Sequence, residues 1–99
     1  MIILAGTIRI AEGQRDAALE PMRRMVEATR AEPGCISYAF ALDVLDDHLV
    51  RIFEVFRDEQ ALAAHRASSH MATWRAAMAT AGVGGRDMWQ YVVTDAQAI

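Results

Sequence analysis

Two runs of alternating residues, Cys35–Leu42 and Leu49–Phe56, stand on either side of a short polar turn at residues 43–48. Alternation sends successive side chains to opposite faces of a strand, so the pair reads as a β-hairpin. In the first run Ile36, Tyr38, Phe40 and Leu42 share a face, and the small residues Cys35, Ser37, Ala39 and Ala41 share the other. In the second, Val50, Ile52, Glu54 and Phe56 lie on one side, and Leu49, Arg51, Phe53 and Val55 on the other. An isolated hairpin is marginal in water. The flanking segments therefore decide what it becomes.

Ahead of it, Ile2–Ile10 is a strand with apolar residues on both parities, as expected where both faces are covered. Asp16 is a plausible N-cap for a helix in which Ala18, Leu19, Met22, Met25, Val26 and Thr29 recur at helical spacing. Arg23, Arg24, Glu27 and Arg30 take its other side. Pro21 is harmless only if that helix starts near Ala17; an earlier start implies a kink. Glu32-Pro33-Gly34 stops it, with Gly just past the end. Behind the hairpin, Asp58 caps a helix through Ala61, Leu62, Ala64 and His65. Ser68-Ser69 interrupts it and caps a second stretch over residues 70–80. Gly82, Gly84 and Gly85 form a loop, and residues 86–94 make the last strand, with Trp89, Tyr91 and Val93 on one face.

The order is β-α-β-β-α-β with a broken second helix. It predicts an α+β, ferredoxin-like fold, a four-stranded antiparallel sheet whose helices cover one face. A chain of 99 residues suits a single domain spanning 1–99. Yet 54% of it is hydrophobic, more than one small core absorbs. Two such sheets stacked face to face would bury the surplus, so a homodimer is expected.

Several classes are set aside. The formal net charge is −3, and the ten basic residues, all Arg, form no basic patch, so no nucleic acid is expected as partner. Cys35 is the only cysteine, which rules out an intrachain disulfide and reads as a small buried residue. No run approaches the length of a membrane span, so no membrane is expected and the cytoplasm is the default location. There is no phosphate loop, no Gly-x-Ser-x-Gly and no nucleotide fingerprint. The absence of Lys removes side-chain Schiff-base chemistry.

What remains is acid–base chemistry. His65 and His70 are five residues apart, about 140° on one continuous helix. That is not the one-face pair a metal site uses, and no metal is expected. Either His can serve as a general base near neutral pH. Trp74 lies one turn beyond His70, and Tyr38, Phe40, Phe53, Trp89 and Tyr91 come from the strands, together enough for an aromatic pocket. The plainer alternative is ordinary core aromatics, with the histidines as surface or capping residues. Glu54, among large apolar neighbours, has a raised pKa unless Arg86, Arg75 or a dimer partner neutralises it.

The runs Glu32-Pro-Gly-Cys-Ile-Ser-Tyr-Ala-Phe, Phe53-Glu-Val-Phe-Arg-Asp-Glu-Gln-Ala-Leu-Ala-Ala-His65 and Ser68-Ser-His70 are similar to the antibiotic biosynthesis monooxygenase domain family. The resemblance covers nearly the whole chain, from Ile2 to Thr94. It implies a dimeric α+β barrel and a reaction that needs no cofactor: oxidation of a quinol or polycyclic phenol to a quinone by O2. A small aromatic substrate and O2 would then be the partners. His65, His70 and Glu54 are the expected catalytic groups. Trp74, Tyr38 and Phe53 would form the slot, with Arg51 or Arg75 stabilising negative charge. The haem-degrading branch of this fold relies on an Asn, a Trp and a His, where this chain has Thr7, His65 and Arg75, so haem degradation is not expected. A non-oxidative isomerase or lyase of a small carbonyl compound, or a dimeric ligand-binding protein without turnover, are the alternatives.

Overall fold

A computed structural model covers residues 1–99. Its elements run β1 (Ile2–Ile10), α1 (Arg15–Arg30), β2 (Cys35–Leu42), β3 (Leu49–Phe56), α2 (Glu59–Arg66), α3 (Ser69–Thr80) and β4 (Val83–Val92). The four strands form one sheet in the order β2-β3-β1-β4, antiparallel throughout. This is the ferredoxin-like α+β arrangement that the order of elements predicts. No helix is long and apolar enough to cross a membrane.

The helices lie on one face of the sheet. Ile2, Leu4, Ile8 and Ile10 of β1 and Val50, Ile52, Glu54 and Phe56 of β3 point into that layer and are buried. Against them pack Ala18, Met22 and Met25 of α1, Ala61 and Leu62 of α2 and Trp74 of α3. The apolar stripe of α1 thus faces the core except at Leu19, which is exposed, while Glu20, Arg23, Arg24 and Glu27 form an exposed ion-pair ladder.

Several local expectations are corrected. Helix α1 begins at Arg15 on Gln14, which makes no side-chain cap, so Asp16 sits inside the first turn instead of capping it. Pro21 consequently lies in the helix interior, where it removes one backbone donor. Ile36 does not share the buried face of Tyr38. The register of β2 slips between Cys35 and Ser37, which turns Ile36 outward to 57% exposure and lets Cys35 pack on the core. One extra residue in a strand inverts the parity of everything before it. Strand β4 begins at Val83, not Arg86, because Gly84 already pairs with Arg9; Gly85, at φ +57°, takes up a register slip there. Gly34 lacks the left-handed φ of a helix-ending glycine. A Cβ on it would meet Ala61 Cβ at 2.3 Å, so this position is glycine to let α2 approach the turn before β2.

Candidate active site

A cavity of about 400 Å³ lies between the helix-facing side of the sheet and helices α2 and α3. Leu4, Ile8, Ile52 and Met88 supply its apolar floor, Tyr38 and Phe40 one wall, and Met71, Trp74 and Met78 the roof. The aromatic rings form a continuous run: Tyr38 and Phe40 have centroids 5.2 Å apart, as do Phe40 and Trp74. Their tilted geometry is the favourable one for such pairs. Glu54 and His65 reach into this apolar space, and Arg66, Arg75 and Arg86 line it as well.

His65 is fully buried, with the tilted rings of Phe56 and Tyr38 at centroid distances of 4.8 and 5.5 Å. Its Nδ1 lies 2.9 Å from Glu32 Oε2, and its Nε2 lies 3.7 Å from Glu54 Oε1. Both Nε2 and that Glu54 oxygen are buried without a hydrogen-bond partner. Leaving one such group unsatisfied costs about 1–3 kcal/mol. Two of them face each other, and a movement of about 1 Å would join them. His70 Nε2 contacts the same Glu32 oxygen at 2.5 Å. Glu32 Oε2 therefore serves both imidazoles.

The break between α2 and α3 makes this possible. Asp58 caps α2 by accepting from the Ala61 amide at 2.8 Å. Ser68 then accepts from the Met71 amide at 3.2 Å and donates to the His65 carbonyl at 2.7 Å, ending one helix and starting the next. On a continuous helix the two histidines would diverge. Across the Ser68 break their rings come to 6.0 Å between centroids. The three groups have ligand atoms within 4.8 Å of one another. The contacts of 2.9 and 2.5 Å are hydrogen bonds that meet at one oxygen, Glu32 Oε2.

Burial pushes Glu54 up from 4.5 to about 7, although Arg86 and Arg66 pull the other way. Burial likewise lowers His65, against the pull of Glu32. Tyr38 is raised by burial, so its phenol stays protonated. Near neutral pH, then, Glu54 is poised between its two forms opposite a neutral imidazole. A carboxylate in that position is matched to proton abstraction.

Of the side chains singled out in the sequence, Glu54, His65, Trp74, Tyr38 and Arg75 line the cavity. His70 sits behind it, lining a groove between α1 and α3. Phe53 and Arg51 do not reach the cavity. They occupy odd positions of β3, on the open face of the sheet, where Phe53 is 45% exposed and Arg51 bonds Asp43 at 2.8 Å. Trp89 and Tyr91 lie on that face too, opposite Ala5 and Ile3. In the sequence Glu32 reads only as part of a helix stop. Its signal is an acidic residue fixed by Pro-Gly just after α1, within reach of whatever follows β3. Arg66 gives no comparable signal.

The sequence profile of the antibiotic biosynthesis monooxygenase family matches residues 1–77. An uncharacterised protein of Synechocystis, sll1783, is 36% identical over 64 residues, which is 65% of this chain but only 44% of that protein. The chain thus spans less than half the length of this relative. Among solved structures, protein PA3566 of Pseudomonas aeruginosa is similar at 27% identity and a TM-score of 0.83, over 95% of this chain and 94% of that one. A Deinococcus radiodurans protein described as a candidate antibiotic biosynthesis monooxygenase superposes with a TM-score of 0.91 at 22% identity, covering 100% and 98%; at that identity the likeness concerns the fold. With the profile covering more than three-quarters of its length, this chain belongs to the antibiotic biosynthesis monooxygenase family.

Proposed function

We propose that the chain, acting as one domain in a cytoplasmic homodimer, is a cofactor-independent monooxygenase that oxidises a quinol or polycyclic phenol to a quinone with O2. The observation that carries this reading is Glu54, held near neutral pKa in an aromatic-lined cavity opposite His65. A phenol becomes a reductant for O2 once it is deprotonated. Glu54 takes the phenolic proton, and the resulting phenolate supplies electrons to O2. One oxygen atom enters the ring at a C–H carbon, both hydrogens leave with the other as water, and the product is a quinone. A quinol with a free ring C–H reacts in the same way and gives a hydroxyquinone and water. Trp74, Phe40 and Tyr38 hold the ring and keep water out, and Arg75 and Arg86 offset the negative charge that develops.

The test is oxygen uptake by chelator-treated protein offered a panel of reduced quinols and polycyclic phenols, corrected for autoxidation. Uptake proportional to protein, with quinone formed, is expected. In Glu54→Gln it is expected to fall by roughly a hundredfold or more, the usual worth of a general base. No uptake across the panel by a folded protein would overturn the reading.

The same base and arginines also favour a second reading, removal of a proton from carbon beside a carbonyl, as an isomerase or lyase requires. Without O2, that activity alone would exchange a carbon-bound substrate hydrogen for solvent deuterium.

A further inference from the structure

Beyond the base itself, we propose that His65, Glu32 and His70 form a proton path that carries Glu54's proton out of the cavity to the groove between α1 and α3. The proposal rests on the reading of Glu54 as the base. Four side chains from four places in the sequence make the line. Glu54 comes from β3, His65 from α2, Glu32 from the turn after α1, and His70 from α3. The steps are 3.7 Å from Glu54 Oε1 to His65 Nε2, 2.9 Å from His65 Nδ1 to Glu32 Oε2, and 2.5 Å from Glu32 Oε2 to His70 Nε2.

The hydrogen-bonding roles are consistent along the line. With its proton on Nδ1, His65 donates to Glu32 and leaves the Nε2 lone pair facing Glu54. A protonated Glu54 can then give its proton to Nε2. As that N–H forms, the Nδ1–H bond breaks and its proton passes to Glu32 Oε2, while the proton that Oε2 shares with His70 Nε2 across their short contact shifts onto that nitrogen and the proton on His70 Nδ1 leaves to the groove. No electron is gained or lost at any step. Burial falls in the same direction: His65 is fully buried, the Glu32 side chain is 16% exposed and that of His70 24%. His70 lines the groove with Pro21, Arg24, Met25 and Trp74. Without such a line, a base closed in by aromatic rings could shed its proton only when the cavity opens. The charges facing the line are Arg66 from α2 and Arg86 from β4, near Glu54, with the Tyr38 phenol of β2 beside both His65 and Glu54.

The experiment uses the intact chain with 15N-labelled histidines, followed by NMR across pH, and needs no substrate. Neutral His65 is expected to carry its proton on Nδ1. Glu54→Gln is expected to change the His70 ring 15N shifts, and Glu32→Gln to abolish that response. His65 protonated on Nε2, or a His70 response that persists in the Glu32→Gln background, would overturn the path. A second arm reads turnover. His70→Ala is expected to lower kcat roughly tenfold with KM unchanged, a modest share of what acid–base groups supply, and millimolar imidazole is expected to restore it. A fall in kcat that no small base rescues would mean a merely structural His70 and would also overturn the path. Wild-type protein inactive on every compound would sink the monooxygenase reading instead, and the NMR outcomes would still decide the path.

Discussion

Glu54 sits where the hydrophobic pattern of β3 asks for an apolar residue, flanked by Ile52 and Phe56 on the same face. Its neighbour at ion-pair range is His65, not an arginine. The energetic consequence has a definite sign. The folded chain raises the Glu54 pKa from 4.5 to about 7, so protonation favours folding. That contribution is complete below about pH 4.5 and is lost as pH rises through about 7. The difference is worth up to about 3 kcal/mol. Glu54→Gln should therefore match the wild type near pH 4.5 and exceed its stability at pH 8, measured by urea denaturation at both values. Equal loss at both would mean that a partner holds the carboxylate charged. His65 acts in the opposite direction on the acid side: its lowered pKa gives stability that is present above 6.5 and lost as pH falls through the folded value. Glu54 was legible in the sequence because the violation is local, one charge in an apolar alternation. Its partner was not, because the distance from His65 to Glu54 depends on how α2 lies across the sheet.

At the scale of elements, the site depends on two close approaches that spacing alone conceals. One is the α2–α3 break. Ser68 holds it by donating to the His65 carbonyl and accepting from the Met71 amide. Ser68→Ala should cost about 1 kcal/mol as a lost cap. In a domain of this size that lowers Tm by roughly 4–8 °C, read by calorimetry. The same variant should loosen the His65–Glu32–His70 contacts, seen as altered imidazole shifts. The other approach is Gly34 against Ala61. Gly34→Ala forces α2 outward, and overpacking of this kind costs about 1–3 kcal/mol. A Gly34→Ala variant as stable as the wild type would show that α2 shifts freely. The helix break and the hairpin were readable because caps and alternation are written in consecutive residues. The bulge at Ile36, the early start of β4 and the reason for Gly34 were not, since each is set by the neighbouring strand or helix.

For the whole molecule, thickness is the governing quantity. One sheet and one helical layer give extents of 41 × 31 × 19 Å, and only 19 of 99 residues are buried. The far side of the sheet stays open, and Phe53, Trp89 and Tyr91 are 45%, 65% and 50% exposed on it. Ala39 and Ala41 of β2 share that face and present little bulk to an approaching layer. A second copy stacked there would turn two layers into four and bury those rings. A standard interface takes roughly 800 Å² from each partner, about an eighth of this chain's 6314 Å². Sedimentation equilibrium should then give twice 10.9 kDa for the wild type and 10.9 kDa for Trp89→Asp. Trp89 does not line the cavity, so the histidine NMR shifts of Trp89→Asp should remain those of the wild type. A wild-type chain that sediments at 10.9 kDa would leave the open face to some other partner. A Trp89→Asp monomer with unchanged shifts would separate the two faces of the sheet: assembly on one, proton chemistry on the other.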